Sequence, residues 1–252
     1  MMTTAQRMPM ADSPARSEAK SAIYRLAAVA FGHPLAETQQ AFADGSFNQA
    51  LDSAWRAVTG RPWSFQSASA DFAELESGYI SVFHHGRHGK PRVALVAGEY
   101  SALLDGLARP RFMINVQAFY KHFGLQAAVG DEGRTEEPDH LSAMLEFMAV
   151  LTHLEARNLE QRKGPDSYRR AQRDFLKIYL GPVLDTIQQQ TAKERNLALD
   201  ATLVRLIEDL PVWARNQLVE LEARVGLYAE KTKGAAITGR ALDQLPLLSC
   251  RV

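Results

Sequence analysis

At 252 residues the chain can form one large domain or two small ones, with ample material for a buried core. Hydrophobic residues make up 46% and charged residues 23%, and 29 Lys plus Arg balance 29 Asp plus Glu, so nothing marks the chain as disordered and no basic excess invites nucleic acid. The single cysteine, Cys250, excludes an internal disulfide and a cysteine-rich zinc site, which suits a reducing compartment.

The elements follow in chain order. Residues 1–16, rich in Met, Pro, Ser and Ala, lack periodicity and the apolar core of a secretory signal, and read as a disordered lead-in. From Ser17 the pattern turns helical, with Ile23, Leu26, Ala27, Ala30 and Phe31 at three- and four-residue spacing until Gly32 and Pro34. Further helices are expected over 34–43, 47–58 and the stretch SASADFAELESGYISVF, where Phe72, Leu75, Tyr79 and Val82 share a face. The irregular segment HHGRHGKPRVALVAG (84–98) follows, and only RVALV within it suggests a strand. Helical patterns resume at 99–107 and 111–123, the latter closed by Gly124. A long helix is expected from 138 to 162 and another after Gly164-Pro165, kinked at Gly181-Pro182. Two more are expected over 198–209 and 212–231, with Pro211 at the mouth of the second. Residues 232–252 lose periodicity. The expectation is one all-α domain of nine or ten helices over 17–231, with an irregular C-terminal segment. No apolar run approaches the ~20 residues that span a bilayer, so a cytoplasmic location without membrane insertion is expected.

Two clusters draw attention. His84, His85 and His88 lie together in the irregular segment, a spacing open to metal, although glycines beside them fix little. The second is EEPDHLSAMLEFM (136–148). Read as a helix start, Pro138 takes the first helical position, while Glu136, Glu137 and Asp139 face the positive end of the helix dipole. Leu141, Met144, Leu145, Met148 and Leu151 then form a buried stripe. Such a cap has no use for Asp139 or His140. With Asp131 and Glu132 in the preceding loop, five acids face a single Arg134, an acidic mouth suited to a basic, partly apolar ligand. An adjacent Asp and His can also do acid–base chemistry, but HExxH, GxSxG and phosphate-cradling glycine motifs are all missing.

EPDHLSAMLEFMAVL resembles the signature of the TorD/DmsD/NarJ family of redox-enzyme maturation chaperones. YRLAAVAFGHP is similar to that family's first helix, ELESGYISVFHHG to its middle helix and loop, VQAFYKHFGL to the helix before the signature, and AQRDFLKIYLGPVLDTI to the helix after it. The resemblance covers residues 20–190 in the right order. It departs from the family at GKPRVALVAGEYS, where many members carry a Pro-rich run ending near an aromatic, and at Tyr179, where histidine is common. These departures point to a branch serving a type II periplasmic molybdoenzyme that acts on hydrocarbons, sulfur compounds or oxyanions.

The resemblance implies an all-helical cytoplasmic chaperone with no cofactor of its own. Its client is the apo catalytic subunit of a dimethyl sulfoxide reductase-type molybdoenzyme, bound through the twin-arginine leader until the molybdenum cofactor is inserted. A leader of arginines followed by an apolar stretch needs carboxylates beside apolar surface. The residues assigned to it are Glu137, Asp139 and Glu146 for charge, His140 for a hydrogen bond with Pro138 between, and Tyr24, Tyr79, Phe83 and Tyr100 for apolar contact. A monomer or a domain-swapped dimer is expected. The alternatives are a small helical enzyme, or a metal or cofactor carrier using His84, His85 and His88.

Overall fold

Helix α1 (Pro14–Phe31) starts where Ser13 accepts a hydrogen bond from the backbone N–H of Arg16 and Pro14 takes the first turn, three residues before the periodicity becomes visible. Residues 12–16 therefore belong to the folded body. Arg16 pairs with Glu220 and Asp12 with Arg169, contacts between distant segments that helical periodicity does not announce. The computed structural model describes residues 12–63, 68–69, 71–86, 89–127 and 137–229. The other helices are α2 (Ala36–Ala43), α3 (Ser46–Thr59), α4 (Phe72–Phe83), α5 (Arg109–His122), α6 (Leu141–Glu160), α7 (Asp166–Phe175), α8 (Gly181–Lys193) and α9 (Ala201–Val225).

The fold is all-α. The only β-type feature among the described residues is an isolated bridge between Val96 and His140. Helices α7 and α8 join without a break through a π-helical turn, Leu176–Leu180, so among the described residues the nine helices form eight rods, slightly fewer than expected. Pro182 has no N–H for the carbonyl of Ile178, and the wider turn accommodates the loss. Gly181 is needed here, because a Cβ would lie 2.7 Å from the carbonyl oxygen of Leu176.

Two other expectations change. The 99–107 stretch is not an α-helix but the second part of two short 3-10 turns, Ala97–Glu99 and Ser101–Leu103, separated at the extended Tyr100. Around Pro211 there is no helix boundary. It lies inside the single helix α9, buried between Leu210 and Trp213, so burial of that face overrides the missing hydrogen bond. Gly124 does end α5, with φ of 72° and the N–H of Leu125 bonded to the carbonyl of Tyr120 at 2.9 Å.

The core sits between α1 and α6, the most extensive helix contact in the molecule, with α3 on one side of α1 and α7 against α6. Small residues of α1, Ala27, Ala28 and Ala30, let the two helices approach closely, and Ser21 donates to the carbonyl of Ala149 across them at 2.9 Å. The stripe Leu141, Met144, Leu145, Met148 and Leu151 is fully buried, each side chain contributing roughly 1.5–3 kcal/mol. No described helix is long and apolar enough to cross a membrane.

A charged network fastens the other end of this pair. Glu155 of α6 receives hydrogen bonds from Arg169 Nε and Gln172 Nε2, both at 2.8 Å, while Asp12 and Glu220 gather Arg169, Arg224, Arg16 and Lys20 from α7, α9 and α1. Burial holds the Lys20 ammonium below the usual lysine range, with Glu220 opposing that shift. Arg173 closes α9 by donating to the carbonyls of Val225, Gly226 and Leu227.

Candidate functional site

The signature turn is built differently from a plain helix start. Helix α6 begins at Leu141, and His140 is the N-cap, its Nδ1 accepting from the N–H of Ser142 at 3.2 Å. Residues 137–140 form a tight turn closed by the N–H of His140 on the carbonyl of Glu137 at 2.9 Å. Pro138 is buried and its carbonyl accepts from the Tyr120 hydroxyl at 2.7 Å, which ties the turn to α5.

Asp139 has no exposed surface. Its Oδ2 accepts from the N–H of Gly98 at 2.8 Å and its carbonyl from the N–H of Ala97 at 2.9 Å, while the N–H of Leu141 bonds to the carbonyl of Leu95 at 2.8 Å. The turn therefore latches the 93–100 segment across the start of α6. This explains RVALV. Val93, Ala94 and Leu95 are buried by crossing the helix end as an irregular strap rather than as a sheet strand. Tyr100 donates to the carbonyl of Ala94 at 2.8 Å and is half-buried, and burial pushes its hydroxyl up to about 12. The Oδ1 of Asp139 and the Oγ of Ser142 are buried without a hydrogen-bond partner among the described residues.

Charge reaches the surface just outside this latch. Glu137 and Glu99 are both exposed, and Arg109, at the first turn of α5, bridges them, with NH2 at 2.7 Å from Glu137 and NH1 at 2.9 Å from Glu99. Gly98 lies directly beneath, for a Cβ there would sit 2.7 Å from the Arg109 side chain. Sequence reasoning missed Glu99, Gly98 and Arg109. The spacing of 28 residues between Arg109 and Glu137 carries no local signal.

The other assigned residues divide. Tyr24, Tyr79 and Phe83 are core residues and do not reach the surface in this structure. Tyr24 packs on Trp213 with ring centroids 4.8 Å apart, and Tyr79 packs on Phe83 and donates to the carbonyl of Phe31 at 2.8 Å. The helical faces that suggested contact are the faces that bury them. Glu146 is half-buried on α6. Glu136, Asp131, Glu132, Arg134 and His88 lie outside the described residues.

His84 and His85 stand at the end of α4, where His84 meets His33 with ring centroids 6.1 Å apart and His33 pairs with Glu76 at 3.5 Å. Among the described residues, no three His, Cys, Asp or Glu side chains are grouped to hold a metal ion. Burial first, then the nearby His33, His140 and His85, hold His84 below the usual histidine range. A depressed value means that the unfolded chain takes the proton more readily. The stability this group contributes is therefore complete above about pH 6.5 and lost as the pH falls through the folded value. Melting temperature should drop between pH 7.5 and pH 5, and His84→Gln should flatten that slope. An identical slope in the variant would show that His84 does not carry the pH dependence.

An all-α protein with a charged rim over a latched signature turn is the class these features define. Residues 36–188 match the nitrate reductase delta subunit family. The chain belongs to that family, which includes redox-enzyme assembly chaperones. It is 50% identical over 217 residues to the dimethyl sulfide dehydrogenase assembly chaperone protein of Rhodovulum sulfidophilum, covering 86% of this chain and 87% of that one. It is 31% identical over 174 residues to the perchlorate reductase assembly chaperone protein of Dechloromonas aromatica (strain RCB), covering 66% and 74%. The selenate reductase assembly chaperone protein of Thauera selenatis is 30% identical over 137 residues, covering 54% and 66%. No solved structure matches the chain.

Proposed function

We propose that this protein is the system-specific assembly chaperone of a molybdenum oxidoreductase of the dimethyl sulfide dehydrogenase type. It binds the apo catalytic subunit in the cytoplasm, through the arginines of its leader, and holds it until the molybdenum cofactor is in place. It turns over no substrate and carries no cofactor of its own. The observation that carries the reading is the 50% identity to a chaperone with that client, sustained over most of both chains. The site that fits the role is the exposed pair Glu99 and Glu137, two carboxylates that present the acceptor geometry a guanidinium takes.

Binding of a synthetic leader peptide, followed by calorimetry on the full chain, tests the site. Exposed pairs are worth about 0.2–1 kcal/mol each, so with Arg109 replaced by glutamine to free both carboxylates, Glu99→Gln with Glu137→Gln should weaken binding by roughly two- to thirtyfold. The loss should shrink at higher salt, because exposed charges are screened. The melting temperature should hold, since neither carboxylate is buried. An unchanged affinity on adding the two glutamate substitutions in the Arg109→Gln background would remove this site and leave the chaperone role standing. The role itself fails if a pull-down from the native host yields no molybdoenzyme catalytic subunit.

A further inference from the structure

The rim is not empty of guanidinium, because Arg109 already occupies it. Its two terminal nitrogens are divided between Glu137 and Glu99, the two surface carboxylates of the site. Its Nε is buried and has no hydrogen-bond partner among the described residues, so the side chain is held by its two ends and by packing on Gly98 rather than by a complete set of bonds. A third of the Arg109 side chain remains exposed, which leaves it a path into solvent. A resident cation that spans both acceptors, yet is satisfied at only part of its donor set, has the properties of a replaceable occupant.

We propose that Arg109 is a resident stand-in for the client's arginine, a specificity-determining residue that the arriving guanidinium must displace from Glu99 and Glu137. This rests on the reading of the rim as the leader site. The physical consequence is an exchange of like for like. A client arginine gains two ion pairs only as Arg109 gives them up, so the net gain comes from whatever else the client offers. A lysine has no planar fork with which to take over both carboxylates at once. A stray basic segment with no apolar partner surface gains little and is refused, since discrimination rests on the difference between competing states. The half-buried Tyr100, next in sequence to Glu99, stands beside the rim as the neighbouring apolar surface.

The test is a double-mutant cycle on the full chain, read by calorimetry with two synthetic leader peptides, one carrying the paired arginines and one with lysines in their place. Arg109→Gln should tighten the arginine peptide by roughly two- to thirtyfold, because both carboxylates become free, each pair being worth about 0.2–1 kcal/mol. It should also narrow the preference for arginine over lysine. Glu137→Gln should weaken the arginine peptide more in the Arg109→Gln background than in the wild type, the coupling a competitor requires. Arg109→Lys keeps the charge and most of the stem, and should fall between wild type and Arg109→Gln, which separates displacement from any softening of the fold. Unchanged or weaker binding in Arg109→Gln at an unchanged melting temperature overturns the stand-in role, with the leader site intact. Equal effects of Glu137→Gln in both backgrounds overturn it as well. No peptide binding by any form overturns the leader-site reading and this inference with it.

Discussion

Glu155→Ala is expected to cost about 3–5 kcal/mol and lower the melting temperature by roughly 6–20 °C. Glu155 and Arg169 are almost fully buried, with side-chain exposures of 3% and 8%, and the carboxylate also accepts from Gln172 at 2.8 Å. Removing it takes the acceptor from Arg169 Nε and the best acceptor from the Gln172 amide in the interior between α6 and α7, leaving the guanidinium to Asp12. The cost arises less from a lost attraction than from a buried charge left short of acceptors. A second substitution decides this point. Arg169→Met in the Glu155→Ala background removes the stranded charge and should recover a good part of the loss, although Asp12 then loses its contact with Arg169. Thermal unfolding of the two variants side by side gives the answer. A double variant as unstable as the single one would show that the pair matters for packing rather than for charge compensation.

Asp139→Ala is expected to be the most damaging change in the signature turn, at about 2–3 kcal/mol, or roughly 4–12 °C in melting temperature. The carboxylate is fully buried and its Oδ2 is the acceptor for the Gly98 N–H, so alanine leaves that donor without a partner and opens a void beneath the strap. Asp139→Asn keeps an acceptor oxygen at the same place and should cost less. Glu137→Gln, one turn position away but exposed, should leave melting unaltered and act on binding alone. Loss of client binding by Asp139→Ala at a wild-type melting temperature would reverse this assignment and return the carboxylate to direct contact.

The contrast between Glu137 and Asp139 shows where reading the sequence stops. Both are acids in one tetrapeptide, and the helix dipole favours both. Only the return of the 93–100 segment decides that Asp139 turns inward to Gly98 while Glu137 faces Arg109 at the surface. The same holds for Tyr24, Tyr79 and Phe83. Their spacing marks a helix face, and spacing alone does not tell a core from a groove. Pro211 punctuates the sequence as a boundary, yet the buried face running from Leu203 to Leu221 carries the helix straight through it.

What the sequence determined by itself was the all-helical class, the stripe of α6, the closure of α5 at Gly124 and the signature that the family match bears out. These are local quantities. Helical periodicity, cap chemistry and a glycine at positive φ depend on residues within one or two turns of one another. What only the tertiary structure decided was which charges meet. Arg109 reaches Glu137 across 28 residues, Arg92 reaches Glu194 across 102, and Arg16 reaches Glu220 across 204. A charge has no periodicity that names its partner, because Coulombic attraction depends on distance in space and on exclusion of water, and the packing of distant segments on one another sets both.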